Sequence, residues 1–478
     1  MTLVFCLSIL GGVGLARFGF VPGMIWCGVA SLFLLMTWRR RTFVTLAFVL
    51  LFGLSLGGWR GSIYMGKLAN YGPWQYQKIT ISATASDDAV YDKHKQLAFN
   101  AKNIVMPDGQ RLTGQIQVSG FGENAVFQGD EVLVTGKLYP GYGAYQGRMS
   151  FAALSVTARH PSLVSDIRRR FTAGMQSALP EPLAPFAMGL LVGQRATLPD
   201  DIKQDLLMVG LTHIIAVSGY NLTIILHASR HLLAKHSKRL STLLSFGLIG
   251  VFLLLAGASA SIVRAAIVSM LSIVTGYYGR AMKPLNLLAL AAAITAWANP
   301  FYIWSDLSWY LSFLAFYGVM IVSPLLQARR PGQWHQSLIG GVALESICAE
   351  AMSLPFVLYI FGQMSLIGLP ANVLVVTLVP LAMLLSLIAG LAGMLGGALA
   401  GWLAWPAAVL LNYMLDIAHL MSHIPHVFIQ NRSLSLAAML GLYGLIMLVT
   451  FMLWHKTKPS RPDIITDMNE LEAGSLTS

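Results

Sequence analysis

Long apolar runs decide what this chain can become. Between residues 206 and 455 nine follow one another, near 206–228, 241–258, 260–278, 285–298, 308–328, 338–361, 371–396, 402–421 and 433–455. Three more occupy 3–20, 21–38 and 42–59. Most approach the ~20 residues that cross a bilayer as a helix. The run at 285–298 is short and Arg17 interrupts the first, so the expected total is about twelve spans, give or take about two. Composition points the same way. Only 11% of residues are charged and 56% are hydrophobic, where a soluble domain carries about 25% charged. A soluble enzyme of this size could not cover its surface with so few ionic groups. A disulfide scaffold is excluded too, because the chain has 3 Cys, all in apolar stretches and none at metal-site spacing. The N-terminus lacks a basic segment ahead of its first apolar run, so an uncleaved first span is expected rather than a signal peptide.

Residues 61–165 differ. Short alternating runs such as Gln115-Ile116-Gln117-Val118 and Glu131-Val132-Leu133-Val134 are punctuated by Pro107-Asp108-Gly109, Gln128-Gly129-Asp130 and Tyr139-Pro140-Gly141. That pattern predicts a small all-β domain of about five strands. Its size suits a compact OB-like barrel, and a small sandwich fits equally. The fold class is therefore a polytopic α-helical membrane protein with one inserted, external, OB-like β domain. The expected organisation is residues 1–60 as about three membrane segments, 61–165 as the β domain and 166–205 as an interfacial amphipathic region. Residues 206–455 then form the main membrane domain, and 456–478 a cytoplasmic tail.

The net charge of +12 suggests nucleic acid until it is located. Residues 206–330 hold nine basic residues and one acidic, and short cytoplasmic loops collect Lys and Arg. Alternating spans place Arg39–Arg41, Arg230, Lys235, Lys238, Arg239, Arg280, Lys283, Arg329, Arg330, Lys456, Lys458 and Arg461 on one side. That side is then cytoplasmic, as are both termini, and the β domain is external. The charge records membrane topology, and the β domain, with nine basic and seven acidic residues, is not strongly basic.

The most informative stretch is Gly210-Leu211-Thr212-His213-Ile214-Ile215-Ala216-Val217-Ser218-Gly219-Tyr220-Asn221-Leu222. It predicts an apolar helix carrying His213, Ser218 and Asn221, with Gly219 as a weak point. Polar groups at membrane depth face a wet cavity or a neighbouring helix. Broken helices line transport paths, whereas Ser and Asn also serve as interhelical contacts. Arg264, Glu345, Glu350 and Asp416 fall in or near spans, and Arg264 is expected to pair with one of the three acids. In the β domain Tyr91, Phe99, Phe121, Phe127, Tyr139, Tyr142, Tyr145 and Phe151 must share core and surface. Two or three are expected to be exposed for stacking on bases, with Tyr142 and Tyr145 in the Gly-rich turn as the candidates. His419, His423 and His426 share a helical face, but Pro425 follows and no carboxylate stands at ligand spacing. They read as histidines at a wet helix end, as do His227, His231 and His236 beside the basic loop, and no metal site or cofactor is expected. No P-loop, HExxH or Ser/His/Asp arrangement stands out, so no enzymatic activity is expected either.

The central stretch resembles the signature of the ComEC family of competence proteins, membrane components of DNA uptake. Ala187-Met188-Gly189-Leu190-Leu191-Val192-Gly193 with Gln194-Arg195 precedes it in the family's order. Ser259-Ala260-Ser261-Ile262-Val263-Arg264-Ala265, Gly279-Arg280, Asn299-Pro300 and Leu311-Ser312-Phe313-Leu314-Ala315 follow. Leu354-Pro355, Phe361-Gly362-Gln363-Met364-Ser365 and Pro370-Ala371-Asn372 complete the series. The likeness covers about 183–390, and the early spans followed by a β domain also fit. It implies an inner-membrane channel for single-stranded DNA, with His213, Ser218, Gly219, Asn221 and Arg264 lining or gating the path. Its implied partners are single-stranded DNA, lipids and other competence proteins: a DNA receptor, a cytoplasmic motor and a separate nuclease. Tyr220 and Asn221 depart from the Leu and His common in the family. The metallo-β-lactamase-like nuclease domain of many members is not expected here, because no His/Asp cluster follows the last span. A transporter of a small or lipidic solute, and an assembly scaffold, are the alternatives.

Overall fold

The computed structural model describes every residue except 24–27, 29–30, 32–41, 93–94, 142–144, 161–162, 194–196, 216–221, 223–236, 257–259, 280–282, 330–337, 397–398 and 457–478. The span expected at 21–38, most of the basic loops and the tail thus lie outside the described residues. The chain divides into two compact units, one of Met1–Arg170 with Ala289–Tyr310 and one of Phe171–Leu288 with Leu311–Ser478.

In chain order the helices are α1 (Thr2–Ala16), α2 (Phe43–Ala69), α3 (Leu163–Ala178), α4 (Leu183–Val192), α5 (Asp200–Met208), α6 (Lys238–Ala256), α7 (Ala260–Tyr277) and α8 (Pro284–Ala298). Then come α9 (Phe301–Ser305), α10 (Leu307–Tyr317), α11 (Ser323–Gln327), α12 (Leu338–Phe361), α13 (Gly368–Val376), α14 (Val379–Leu395), α15 (Leu399–Ser422) and α16 (Leu436–Lys456). Among the described residues five helices are long and apolar enough to span: Phe43–Trp74, Leu307–Gln327, Ala343–Phe361, Ala400–Ser422 and Leu436–His455. The pair α13 and α14 passes the same test only together and is bent by 47° at its break, where Pro380 opens α14 with no N–H to give the preceding turn. The chain is a multi-pass membrane protein with a separate β region.

In the first unit α1 packs on α2 along Gly53, Gly57 and Gly61. A Cβ at Gly57 would strike the Ile9 carbonyl, and one at Gly53 would strike the Ser8 side chain. Without a hydrophobic drive between helices in lipid, such close backbone approach is what holds them. Arg17 caps α1 and donates from Nη1 to the Trp304 carbonyl at 2.6 Å. Arg60 donates from Nε to the Trp297 carbonyl at 2.9 Å, and the Trp304 indole donates to the Val13 carbonyl at 2.9 Å. Arg17 therefore ends the helix by satisfying a carbonyl from a distant segment.

The strands of this unit are β1 (Lys78–Ala85), β2 (Val90–Tyr91), β3 (Leu97–Val105), β4 (Arg111–Leu112), β5 (Ile116–Phe121), β6 (Glu131–Pro140) and β7 (Gly147–Ala158). The five long strands close a ring in the order β1, β6, β7, β5, β3 and back to β1, and only β5 with β7 runs parallel. Alternation fills the interior: Ile79, Ile81, Ala83 and Ala85 from β1 meet Val132, Val134 and Leu138 from β6, Ile116 and Val118 from β5, and Phe99 from β3. Closure leaves no unpaired edge on these five strands.

The second unit is built around α4, every residue of which is buried. Within the region expected at 166–205 to be interfacial, one helix lies in the interior. Leu183–Val192 is apolar on all sides, and a helix of that kind belongs inside. It ends at Gly193 with φ 76°. Of the span expected at 206–228, the described part does not run as one continuous helix. Helix α5 stops at Met208, and the chain turns at Gly210 with φ 80°. The Gly210 N–H donates to Leu207 and the Leu211 N–H to Leu206. This is the glycine-terminated end in which the last carbonyls are satisfied from beyond the helix. The described chain breaks at Gly210, and the Gly219 expected to weaken the helix lies outside the described residues.

Candidate functional site

Two places carry unexplained polarity, one in each unit. The first is on the barrel. Tyr76, two residues past the span Phe43–Trp74, is exposed, and its ring meets that of Tyr139 edge-on at 6.1 Å. Lys137 Nζ lies 5.7 Å and the Arg148 guanidinium 5.9 Å from the centre of the Tyr139 ring. Register explains the grouping. Tyr139 stands opposite Arg148, and Lys78 stands directly opposite Lys137. Like charges facing across strands oppose folding, so the Lys78–Lys137 pairing suits an anion that would sit between them. Three exposed cations around two tyrosines offer phosphate attraction together with a π face, the combination that holds single-stranded nucleic acid.

The stacking residues expected in the Gly-rich turn fare differently. Tyr142 lies outside the described residues. Tyr145 is half-buried and hydrogen-bonded to the Asn100 side chain; its hydroxyl is pushed up by burial and by the nearby Asp87 carboxylate. Of the aromatics expected to share core and surface, Tyr91, Phe121 and Phe151 are exposed among the described residues, and the Phe121 and Phe151 rings lie 6.5 Å apart. Phe151 has φ 56°, a region that disfavours a bulky residue. Its N–H donates to the buried Gln96 side chain at 3.0 Å. Phe99 is core. Tyr76 was missed because it stands before the first strand, outside any alternating run.

The second place is at the Gly210 turn. A Cβ on Gly210 would lie 3.2 Å from the Ser365 Cβ and 3.5 Å from Gly368 Cα. A Cβ on Gly368 would lie 3.2 Å from Glu350 Oε1. The turn, β8 (Met364–Ser365) and α13 therefore meet Glu350 on α12 through tight glycine contacts. Glu350 Oε2, Ser365 Oγ and Asn372 Oδ1 are all buried with no hydrogen-bond partner among the described residues. Asn372 is one helical turn beyond Gly368. Three buried atoms of this kind cost stability, and Glu350 lies in the spanning helix Ala343–Phe361. His213 stands at this turn, exposed, with Nδ1 3.1 Å from the Gly210 carbonyl. A carbonyl can only accept, so Nδ1 carries the proton and Nε2 keeps its lone pair. Ser218, Gly219 and Asn221 lie outside the described residues.

Arg264 on α7 is fully buried, with its guanidinium 5.9 Å from the centre of the Phe313 ring on α10. Glu345 is half-buried and Asp416 exposed. Helix α15 carries His419 and ends at Ser422, and His426 has left the helical path with φ 65°. His419 Nδ1 lies 2.8 Å from Asp205 Oδ2 on α5. That carboxylate was missed because it is 214 residues away in sequence.

A family model for competence proteins matches residues 190–456, a stretch that contains the Gly210 turn, Arg264, Glu350 and Asn372. ComE operon protein 3 of Bacillus subtilis (strain 168) is 23% identical over 229 residues. That alignment spans 48% of this chain and 29% of the relative's length. No solved structure matches.

Proposed function

Because the chain belongs to the competence protein family, we propose that it is the membrane channel through which single-stranded DNA enters the cell during natural transformation. The observation that carries the reading is the cluster of buried polar atoms at the Gly210 turn, inside the matched region. In this reading His213, Ser218, Gly219 and Asn221 line or gate the path and Arg264 stands nearby. The five-strand ring is an OB-like barrel, on the external side with both termini cytoplasmic, and its Tyr76, Tyr139, Lys78, Lys137 and Arg148 patch receives the strand. The chain works as a conduit without an activity of its own. A DNA receptor, a cytoplasmic motor and a separate nuclease complete the task.

The test replaces His213, Ser218 and Asn221 together by alanine. Uptake of labelled DNA is expected to stop while the chain stays in the membrane. Normal uptake in that variant overturns the lining role. A second reading, transport of a lipidic solute, is favoured by one observation. Tyr76 follows a spanning helix by two residues, where aromatic and basic groups also meet lipid headgroups. Binding of anionic vesicles in preference to single-stranded oligonucleotide supports that alternative.

A further inference from the structure

The end of α15 and the middle of α5 bring two imidazoles and a carboxylate together. One ligand-capable atom from each of Asp205, His419 and His423 lies within 4.8 Å of the others. We propose that these three residues form a binding site for one divalent transition-metal ion of the zinc type.

Each group is set up by its neighbours. His423 Nδ1 lies 2.8 Å from the His419 carbonyl. The carbonyl accepts, so that nitrogen carries the proton and Nε2 presents its lone pair. Ser422 Oγ donates to Asp205 Oδ1 at 2.7 Å, which fixes the carboxylate and leaves Oδ2 facing His419 Nδ1 at 2.8 Å. The proton in that last contact is what a cation displaces. Bonds of about 2.0–2.1 Å hold adjacent ligands of a tetrahedral ion roughly 3.3 Å apart. Opening the Asp205–His419 contact by about half an ångström therefore seats the ion. The His423 ring, with its centroid 4.3 Å from that of His419, swings in as third ligand, and water takes the fourth position.

The donor set selects the class of ion. Two imidazoles and one carboxylate suit zinc and its first-row neighbours. Calcium and magnesium take six or more oxygen ligands, and this cluster has a single carboxylate. The side chain of His419 is 67% exposed and that of Asp205 18%, so the ion reaches the site from solvent while its carboxylate stays largely sheltered. Asp205 stands five residues before Gly210. Binding would fasten α5 to α15 and so steady the approach to the turn that carries His213.

The untagged full chain, purified in detergent and stripped with chelator, is titrated with Zn²⁺ by calorimetry and with Co²⁺ by visible absorption. One ion per chain is expected, with the intense visible bands of four-coordinate cobalt. His419→Gln, His423→Gln and Asp205→Asn should each weaken binding at least as much as loss of an outer-shell partner does, about 10–100-fold. In His423→Cys a thiolate replaces one imidazole, so a sulfur-to-cobalt charge-transfer band should appear, a gain of signal that requires the intact site. No ion bound by the wild-type chain leaves only a hydrogen-bonded His–Asp pair and overturns the site. So does equal binding by wild type and the His419→Gln/His423→Gln double variant, or the absence of the new band in His423→Cys.

Discussion

Charge removal on the barrel gives the sharpest test of the nucleic-acid reading. Lys78, Lys137 and Arg148 are exposed and gathered around Tyr139, and the first two face each other across a strand pair. If each meets one phosphate, the triple alanine variant loses three contacts. For a single strand the slope of log K against log salt changes by about 0.7 per contact, hence about 2 for three. Between 50 and 200 mM salt the wild-type advantage should then shrink by roughly eighteenfold. The assay is fluorescence anisotropy of a labelled oligonucleotide titrated with the full chain in detergent across that salt range. Tyr76→Ala separates the two forces at work. It should weaken binding by about 1–3 kcal/mol, the worth of one stacked base, with the slope unchanged. A triple variant with the wild-type slope refutes the phosphate contacts, whatever its affinity. Removing Lys78 alone should also stabilise the barrel, because it relieves the repulsion across the pair.

Three further outcomes follow from the packing. Gly57→Leu places a side chain against the Ile9 carbonyl and should part α1 from α2. Lower yield of folded protein and a lower midpoint in detergent-based thermal unfolding would show it, and an unchanged midpoint would deny the close approach. Asp306 Oδ1 accepts from the Ser308 and Trp309 N–H groups and the Ser308 hydroxyl. Asp306→Ala should therefore cost about 1–2 kcal/mol as a lost helix cap, read from the same unfolding curves. Asp87 in the barrel accepts from the Asn100 N–H and side-chain amide, yet burial outweighs these bonds and holds its carboxyl above the usual range. The folded state then keeps a proton that the unfolded state has released. Stability should fall as pH rises through the interval just above the ordinary carboxylate value, and remain full below it. Unfolding midpoints across pH should show this slope, and Asp87→Asn should flatten it; a wild-type profile flat over that interval contradicts the buried-acid account.

What could be read from residues alone divides by range. The helices at 338–361 and 433–455 were legible because a span is an uninterrupted local property, and α12 and α16 follow those runs closely. The hairpin at Pro107-Asp108-Gly109 was legible for the same reason. Gly109 takes φ 82° and Asp108 accepts from the Gln110 N–H, chemistry contained in three residues. The break at Gly210 was less so. Leu206 to Ile215 is apolar enough to continue as a helix, and the deciding contacts come from Ser365 and Gly368, which no local window includes. Asp205 with His419 is the extreme case, since no periodicity links residues that far apart. Yet the blocks that resemble the competence family were informative on this point. Ser259–Ala265 meets Leu311–Ala315 through Arg264 and Phe313, and the Gly210 stretch meets the segment from Phe361 to Asn372 through Ser365 and Gly368. Residues separated by tens to hundreds of positions were marked as one set by order and identity, and the fold brings pairs of them into contact. The ordered motifs thus act as a record of tertiary proximity that hydropathy cannot hold, and the polar atoms they gather around Glu350 are where substitutions should separate passage from stability.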